Sequence, residues 1–301
     1  MSFTLPQFGI FAQGTDAHDF LEFDLRPGVS ATAAIPSFRR LRTPDVSAGG
    51  VNLVIAFGAD AWREVAPSMA PVSLAPFSEV IGSDGHRAPA TQHDAWIWIS
   101  GSTPDVTFDH ARAAASTISD VAVLAAEQPG FTYRGGRDET GFVDGTANPP
   151  VRRAADVALV PPGEPGEAGS HVLAMRWIHD LDAFHRLSIQ EQEHVIGRTK
   201  PDSIELTDAE KPPDAHIARV ELGDDVEIFR RSVPYGTVEE HGLYFVAFSA
   251  DPLRFERMLS RMFGIDGPRD RLTDFSRPVS AGYYFAPSNT ALRALAGPEP
   301  E

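Results

Sequence analysis

Four stretches of the chain repeat one pattern: an apolar run with strand spacing, an acidic or polar corner, then a segment with helical spacing. The first run is Val51–Phe57, followed by Gly58, Ala59, Asp60 and Trp62. The second is Ala95–Ser100, then Thr103-Pro104-Asp105 and a helix predicted from Phe108 to about Ala125. The third is Val172–Ile178, then Asp180 and a helical segment around Phe184 to His194. The fourth is Leu243–Phe248, then Ser249-Ala250-Asp251-Pro252 and a helix over Leu253–Phe263, where Asp251 suits an N-cap and Pro252 a first turn. Two units precede Gly141 and two follow it, and Ala56-Phe57-Gly58-Ala59-Asp60 is locally similar to Ala247-Phe248-Ser249-Ala250-Asp251. The pattern predicts an α+β chain of two domains of similar build, residues 1–137 and 138–301, each an antiparallel sheet with helices on one face. Breaker-rich Pro161–Gly169 and the polar stretch Lys200–Asp214 predict surface loops, and Gly297–Glu301 a frayed tail.

With 301 residues and 42% hydrophobic content the chain can build a substantial core. A net charge of −16 argues against a general nucleic-acid binder and against adsorption to anionic lipid, and fits solubility. The absence of cysteine excludes disulfides, thiolate catalysis, iron–sulfur clusters and a thiolate-ligated haem, so any metal must be held by His or carboxylate. The first residues carry no basic region and no long apolar run, which predicts neither a secretory or twin-arginine signal nor a membrane span; the cytoplasm is the expected location.

Candidate chemistry changes the picture at three places. Gly141-Phe142-Val143-Asp144-Gly145-Thr146-Ala147-Asn148-Pro149 sets one carboxylate between glycines and beside an apolar pair, where its proton affinity can be tuned. Taken alone it is also good turn chemistry. Among ten histidines, His18, His86, His93 and His110 sit in polar or mixed surroundings, His185 and His194 flank an amphipathic stretch, and no pair has the spacing of a zinc helix. His216 differs: Ala215–Leu222 alternates like a strand, with His216, Ala218, Val220 and Leu222 on one face, which suits a hydrogen-bonded core residue or a ligand. Further on, Phe229-Arg230-Arg231-Ser232-Val233-Pro234-Tyr235-Gly236 places a guanidinium near an apolar wall, or a solvated arginine pair. One His, one Asp and one Arg without cysteine suit a His-ligated haem with a polar distal side. They would also suit a carboxylate/His hydrolase, but no G-x-S-x-G elbow is present.

At these residues the chain resembles the dye-decolorizing peroxidases, in particular the short bacterial branch called class B. The matching blocks, in order, are Gly141–Thr146, Val195–Lys200, His216 with Arg219-Val220, Arg230 with Pro234-Tyr235-Gly236, His241–Phe245 and Gly282–Ser288. The resemblance implies two ferredoxin-like halves and one haem b per chain, held mainly by the second half. It implies His216 as the proximal ligand to iron, Asp274 as the acceptor on its other ring nitrogen, Asp144 and Arg230 as the distal pair, and Gly145 and Ser232 beside the cofactor. The implied reaction reduces hydrogen peroxide and oxidises small aromatic or dye donors by single electrons. Donors too large for the distal pocket would pass electrons at the haem edge or through aromatics drawn from Trp62, Trp96, Trp98, Trp177 and Tyr133, each of which also reads as a core residue. A homo-oligomer is expected, and the tail Leu292–Glu301 shows no peptide for docking inside an encapsulin shell. Two departures stand out: Ala147 replaces a Glu that helps several relatives bind manganese, and Ser232 stands where some carry Asn. The alternative is a haem-binding or haem-handling protein with incidental peroxidase activity.

Overall fold

The computed structural model describes residues 4–41, 50–221, 223 and 226–295. Its strands are β1 (Ala17–Leu25), β2 (Asn52–Gly58), β3 (Val80–Ile81), β4 (Arg87–Ala88), β5 (Ala95–Gly101), β6 (Ala122–Phe131), β7 (Ser170–His179), β8 (Phe229–Arg230), β9 (Val233–Gly236), β10 (His241–Ser249) and β11 (Ser276–Ala286). Its helices are α1 (Ala31–Arg39), α2 (Ala59–Val65), α3 (Pro104–Thr117), α4 (Val151–Ala158), α5 (Leu181–His185), α6 (Ile189–Ile196), α7 (His216–Val220), α8 (Leu253–Met262) and α9 (Asn289–Ala294). Nine strands form one sheet in the order β6-β1-β5-β2-β11-β7-β10-β8, with β9 also on β10, while β3 and β4 pair apart.

The two halves share one topology. In each, the first strand lies between the fourth and the third and the second strand follows: β6-β1-β5-β2, then β11-β7-β10 with β8 and β9. This is the ferredoxin-like arrangement twice over, antiparallel throughout. The halves are joined by β2 and β11, where Tyr284 pairs with Gly58 and Phe285 with Phe57. The far ends of the sheet approach each other, since a Cβ on Gly130 in β6 would lie 2.7 Å from Val233 Cγ2 in β9.

Strand alternation sorts the side chains to two faces. The inner face packs Phe20, Trp96, Trp98, Tyr244, Phe248 and Tyr284 between the halves, all buried. Each such side chain contributes roughly 1.5–3 kcal/mol of burial. Glu22 sits among them and accepts hydrogen bonds from the Tyr244 and Tyr284 hydroxyls, and Trp96 Nε1 donates to Tyr244 Oη at 3.1 Å. On the outer face of the first half, Trp62 and Phe285 join the α1, α2 and α3 core. On the outer face of the second half, Met175 and Trp177 pack against Phe255, Met258, Leu259 and Met262 of α8.

The four predicted strand cores all appear, but two helical expectations change. The segment after β5 is helical only to Thr117, and Ala122 begins β6, so the predicted helix to Ala125 overruns a turn and enters a strand. The segment from Phe184 to His194 is two short helices, because Ser188 starts α6 with a capping box to Glu191. Asp251 does anchor the start of α8: Leu253 N donates to its Oδ1 at 3.0 Å. Trp62, Trp96, Trp98 and Trp177 are core residues, whereas Tyr133 is partly exposed. Most of the tail from Leu292 to Glu301, including the segment expected to fray, lies outside the described residues, as does Leu222.

Candidate functional site

Between the outer face of the second half and α7 and α8 lies a pocket. Its walls are apolar: Met175, Trp177, Leu243, Phe245, Met258, Leu259 and Met262. Polar groups enter it from three sides, namely His216, the pair Asp144 and Arg230, and the group Asp138, His179 and Ser276.

His216 is not on a strand as its alternation predicts. Ala215 caps a short helix and His216 is its first residue, after the break at Pro212-Pro213. Its Nδ1 lies 2.6 Å from Asp270 Oδ2, and the Asp270 side chain is fully buried. The other carboxylate oxygen of Asp270 accepts from Leu272 N at 2.9 Å, which fixes the group at the start of the 3-10 turn Arg271–Asp274. The expected partner, Asp274, is a correction. It ends that turn, faces out, and accepts from Arg269 Nη2 at 2.7 Å. With Nδ1 engaged, Nε2 is the ring nitrogen that His216 presents to the pocket.

Asp144 and Arg230 come together as expected. The loop carrying Asp144 is stapled by Arg137, whose guanidinium donates to the carbonyls of Gly141 at 2.7 Å, Lys200 at 3.1 Å and Pro201 at 3.0 Å. Asp144 Oδ1 accepts from Gly145 N at 2.7 Å, and Gly145 has a φ of 74°, a turn shape that suits glycine. Arg230 is clamped through its backbone: its N–H donates to Asn148 Oδ1 at 2.7 Å, and Asn148 Nδ2 donates to its carbonyl at 3.0 Å. Burial pushes the Asp144 carboxyl above the ordinary carboxylate range, and the charge of Arg230 offsets this only in part. The buried Nε of Arg230 has no hydrogen-bond partner among the described residues.

Gly145 and Ser232 border an adjoining polar cleft rather than the apolar pocket, and Ser232 Oγ accepts from Val246 N at 3.3 Å. Sequence reasoning missed the third group. Burial opposes the Asp138 charge, but the facing His179 and bonds from Thr140 bring it down to about 2. His179 in turn is raised by Asp138 against its own burial. Its Nε2 lies 3.1 Å from Asp138 Oδ2 and its Nδ1 2.8 Å from Ser276 Oγ. The only sequence signal was the place of Asp138 just ahead of the Gly141 loop.

A histidine nitrogen backed by a buried carboxylate, sharing an apolar slot with an arginine and an aspartate of raised proton affinity, is the equipment of a protein that holds a prosthetic group and handles protons beside it. The comparisons with known proteins agree. The family model described as "Dyp-type peroxidase, N-terminal" matches residues 7–132, and "Dyp-type peroxidase, C-terminal" matches residues 136–291. A dye-decolorizing peroxidase of Rhodococcus erythropolis is 35% identical over 288 residues, covering 91% of this chain and 84% of that protein. One from Mycobacterium tuberculosis is 38% identical over 247 residues, covering 79% of this chain and 73% of that protein. Among solved structures, a variant of Rhodococcus jostii RHA1 DypB in complex with heme superposes with a TM-score of 0.88 at 32% identity, covering 95% of this chain and 97% of that one. The chain belongs to the Dyp-type peroxidase family.

Proposed function

We infer that this chain is a haem-dependent peroxidase that reduces hydrogen peroxide and oxidises aromatic and dye donors one electron at a time. The observation that carries this reading is His216, with Nδ1 bound to a buried carboxylate and Nε2 left for a ligand in an apolar slot. The residues fit haem b: the unpaired Arg230 Nε and the Asp144 carboxyl give the apolar slot a polar side. When bound, haem supplies an iron at which peroxide is taken up and a conjugated ring that passes oxidising equivalents to donors.

The protein's own residues then divide the work. His216 holds the iron, and Asp270 orients the imidazole and keeps its proton on Nδ1. Arg230, always charged, stabilises negative charge on the bound peroxide. Asp144 would use the oxygen that Gly145 leaves free to take a proton from one peroxide oxygen and give it to the other. Its raised proton affinity suits both halves of that transfer. Manganese(II) falls outside the proposed donors, because Ala147 contributes no carboxylate beside Glu221 and Glu227.

Among the described residues no helix is long and apolar enough to cross a membrane. We place the protein in the cytoplasm as a homo-oligomer, with the exposed Val123, Leu124 and Phe131 of β6 as apolar surface for self-association. Purified protein reconstituted with haem should show a Soret band and bleach a dye only when peroxide is added. His216→Ala should lose that band; full haem occupancy in this variant would overturn the ligand assignment. Haem uptake without peroxide-dependent turnover would instead mark a haem-handling protein.

A further inference from the structure

Arg231 follows Arg230 in the chain but borders only the polar cleft next to the cofactor pocket. That cleft is lined by Asp144 and Arg230 as well as by His18 and Tyr133. The Arg231 guanidinium lies over the ring of Trp98 at 5.5 Å and over Phe229 at 6.0 Å. Among the described residues it has neither a carboxylate nor a hydrogen-bond acceptor, and burial alone brings it down to about 10. Other arginines of this half are paired: Arg153 with Glu227, Arg176 with Glu240 and Arg198 with Glu221. In a chain of net charge −16, acids are abundant, yet none meets Arg231.

The half-buried Arg231 guanidinium is held against two aromatic faces, which position its charge without neutralising it. His18 does not compete for an anion partner. Burial, then the Arg231 charge, lowers it to about 4, so it is neutral, and its Nδ1 accepts from Trp98 Nε1 at 3.2 Å. The cleft therefore presents a positive charge to solvent alongside Asp144 and Arg230, which line it too.

We propose that this cleft is a docking site for aromatic donors that carry a carboxylate or sulfonate, with Arg231 as the anchoring charge and Tyr133 as a neighbouring ring. The strongly negative chain repels such donors at long range, so their capture needs a local cation. Arg231 is a specificity residue here and takes no part in peroxide cleavage. The proposal rests on the peroxidase reading.

The test uses the holoenzyme and a matched pair of phenolic donors, 2-naphthol and 6-hydroxynaphthalene-2-sulfonate, in wild type, Arg231→Met and Arg231→Lys. Loss of a charge-assisted contact should raise KM for the sulfonate roughly ten- to a hundredfold in Arg231→Met. Its kcat, and both constants for 2-naphthol, should stay within about twofold, and Arg231→Lys should restore most of the affinity. Calorimetric titration of the sulfonate without peroxide should show the same loss, and it reports even if no donor turns over, which separates this proposal from the peroxidase reading. Equal KM changes for both donors, or no change for the sulfonate, would overturn it. So would loss of haem occupancy in Arg231→Met with unchanged sulfonate binding, which would assign the guanidinium to a propionate of the cofactor.

Discussion

The contact between Asp270 and His216 is the most demanding test of the site, because it can be broken without changing shape. Asp270→Asn keeps the volume and one acceptor oxygen. That oxygen is already held by Leu272 N at 2.9 Å, so the new amide NH2 takes the position now 2.6 Å from His216 Nδ1. Two donors cannot face each other, so the imidazole must move its proton to Nε2, the nitrogen that faces the pocket. Ligation through Nε2 then requires the ring to turn or the amide to flip and abandon Leu272. The bond lost is short and charge-assisted, with its carboxylate fully buried, of the kind worth roughly 1.5–3 kcal/mol. This corresponds to about a ten- to hundredfold loss of haem affinity or of peroxidase rate. Haem titration of the apoprotein followed by the Soret band measures the first, and dye bleaching at saturating haem the second. Asp274→Asn, which breaks only an outward contact with Arg269, serves as the control and should match wild type. Wild-type behaviour in Asp270→Asn, or a larger loss in Asp274→Asn, would refute the assignment.

Other residues give sharper readouts elsewhere. Asp144→Asn should slow the reaction with peroxide by roughly 10²–10⁴-fold. Since burial raises the wild-type carboxyl, wild-type rates should climb with pH through a transition above the ordinary carboxylate range, and the variant should lack that limb. Arg230→Leu should slow the same step while leaving haem affinity nearly intact, as seen by stopped-flow absorbance. Asp138 drops from 3.8 to about 2 on folding, so the stability it contributes is complete above the higher value and is lost as pH falls through the lower one. Urea unfolding of wild type should therefore weaken by roughly 2 kcal/mol across that window, and Asp138→Asn should flatten this slope. Gly242→Ala should destabilise by more than about 3 kcal/mol, because a Cβ there would lie 2.0 Å from the Trp177 carbonyl oxygen; a melting temperature near wild type would contradict the strand packing.

What the sequence revealed and what it hid follow from the range of the interactions involved. The runs in β2, β5, β7 and β10 were legible because both faces are covered, so their apolar character is continuous. β1 was not, although it is just as buried. His18, Asp19 and Glu22 interrupt its apolar pattern, and the partners that satisfy Glu22, Tyr244 and Tyr284, lie 222 and 262 positions away. No local rule anticipates a buried acid whose donors come from the other half of the duplication. β6 was hidden for the opposite reason: as an edge strand it is exposed on both faces, and its Ala122-Val123-Leu124-Ala125 start continues the look of the preceding helix.

The same logic divides the site. Asp144 stands in a loop shaped by its own glycines, so its motif carries the placement, whereas Arg230 ends β8 and is held by Asn148, 82 positions earlier. Asp270 and Asp274 flank one 3-10 turn, and only the direction in which that turn faces decides which carboxylate is buried behind His216. That direction is set by Met262, whose carbonyl accepts from Asp270 N at 3.0 Å, and so by the docking of α8. Asp138 and His179 were missed on the same ground, since each has its proton affinity shifted by the other only once the fold brings them together. The chemistry of this pocket is thus built from groups that are ordinary alone and unusual in pairs. Each single substitution strands its partner and should therefore cost more than the pair is worth, and double-mutant cycles across His216 and Asp270, or Asp138 and His179, should show coupling of about 0.5–3 kcal/mol.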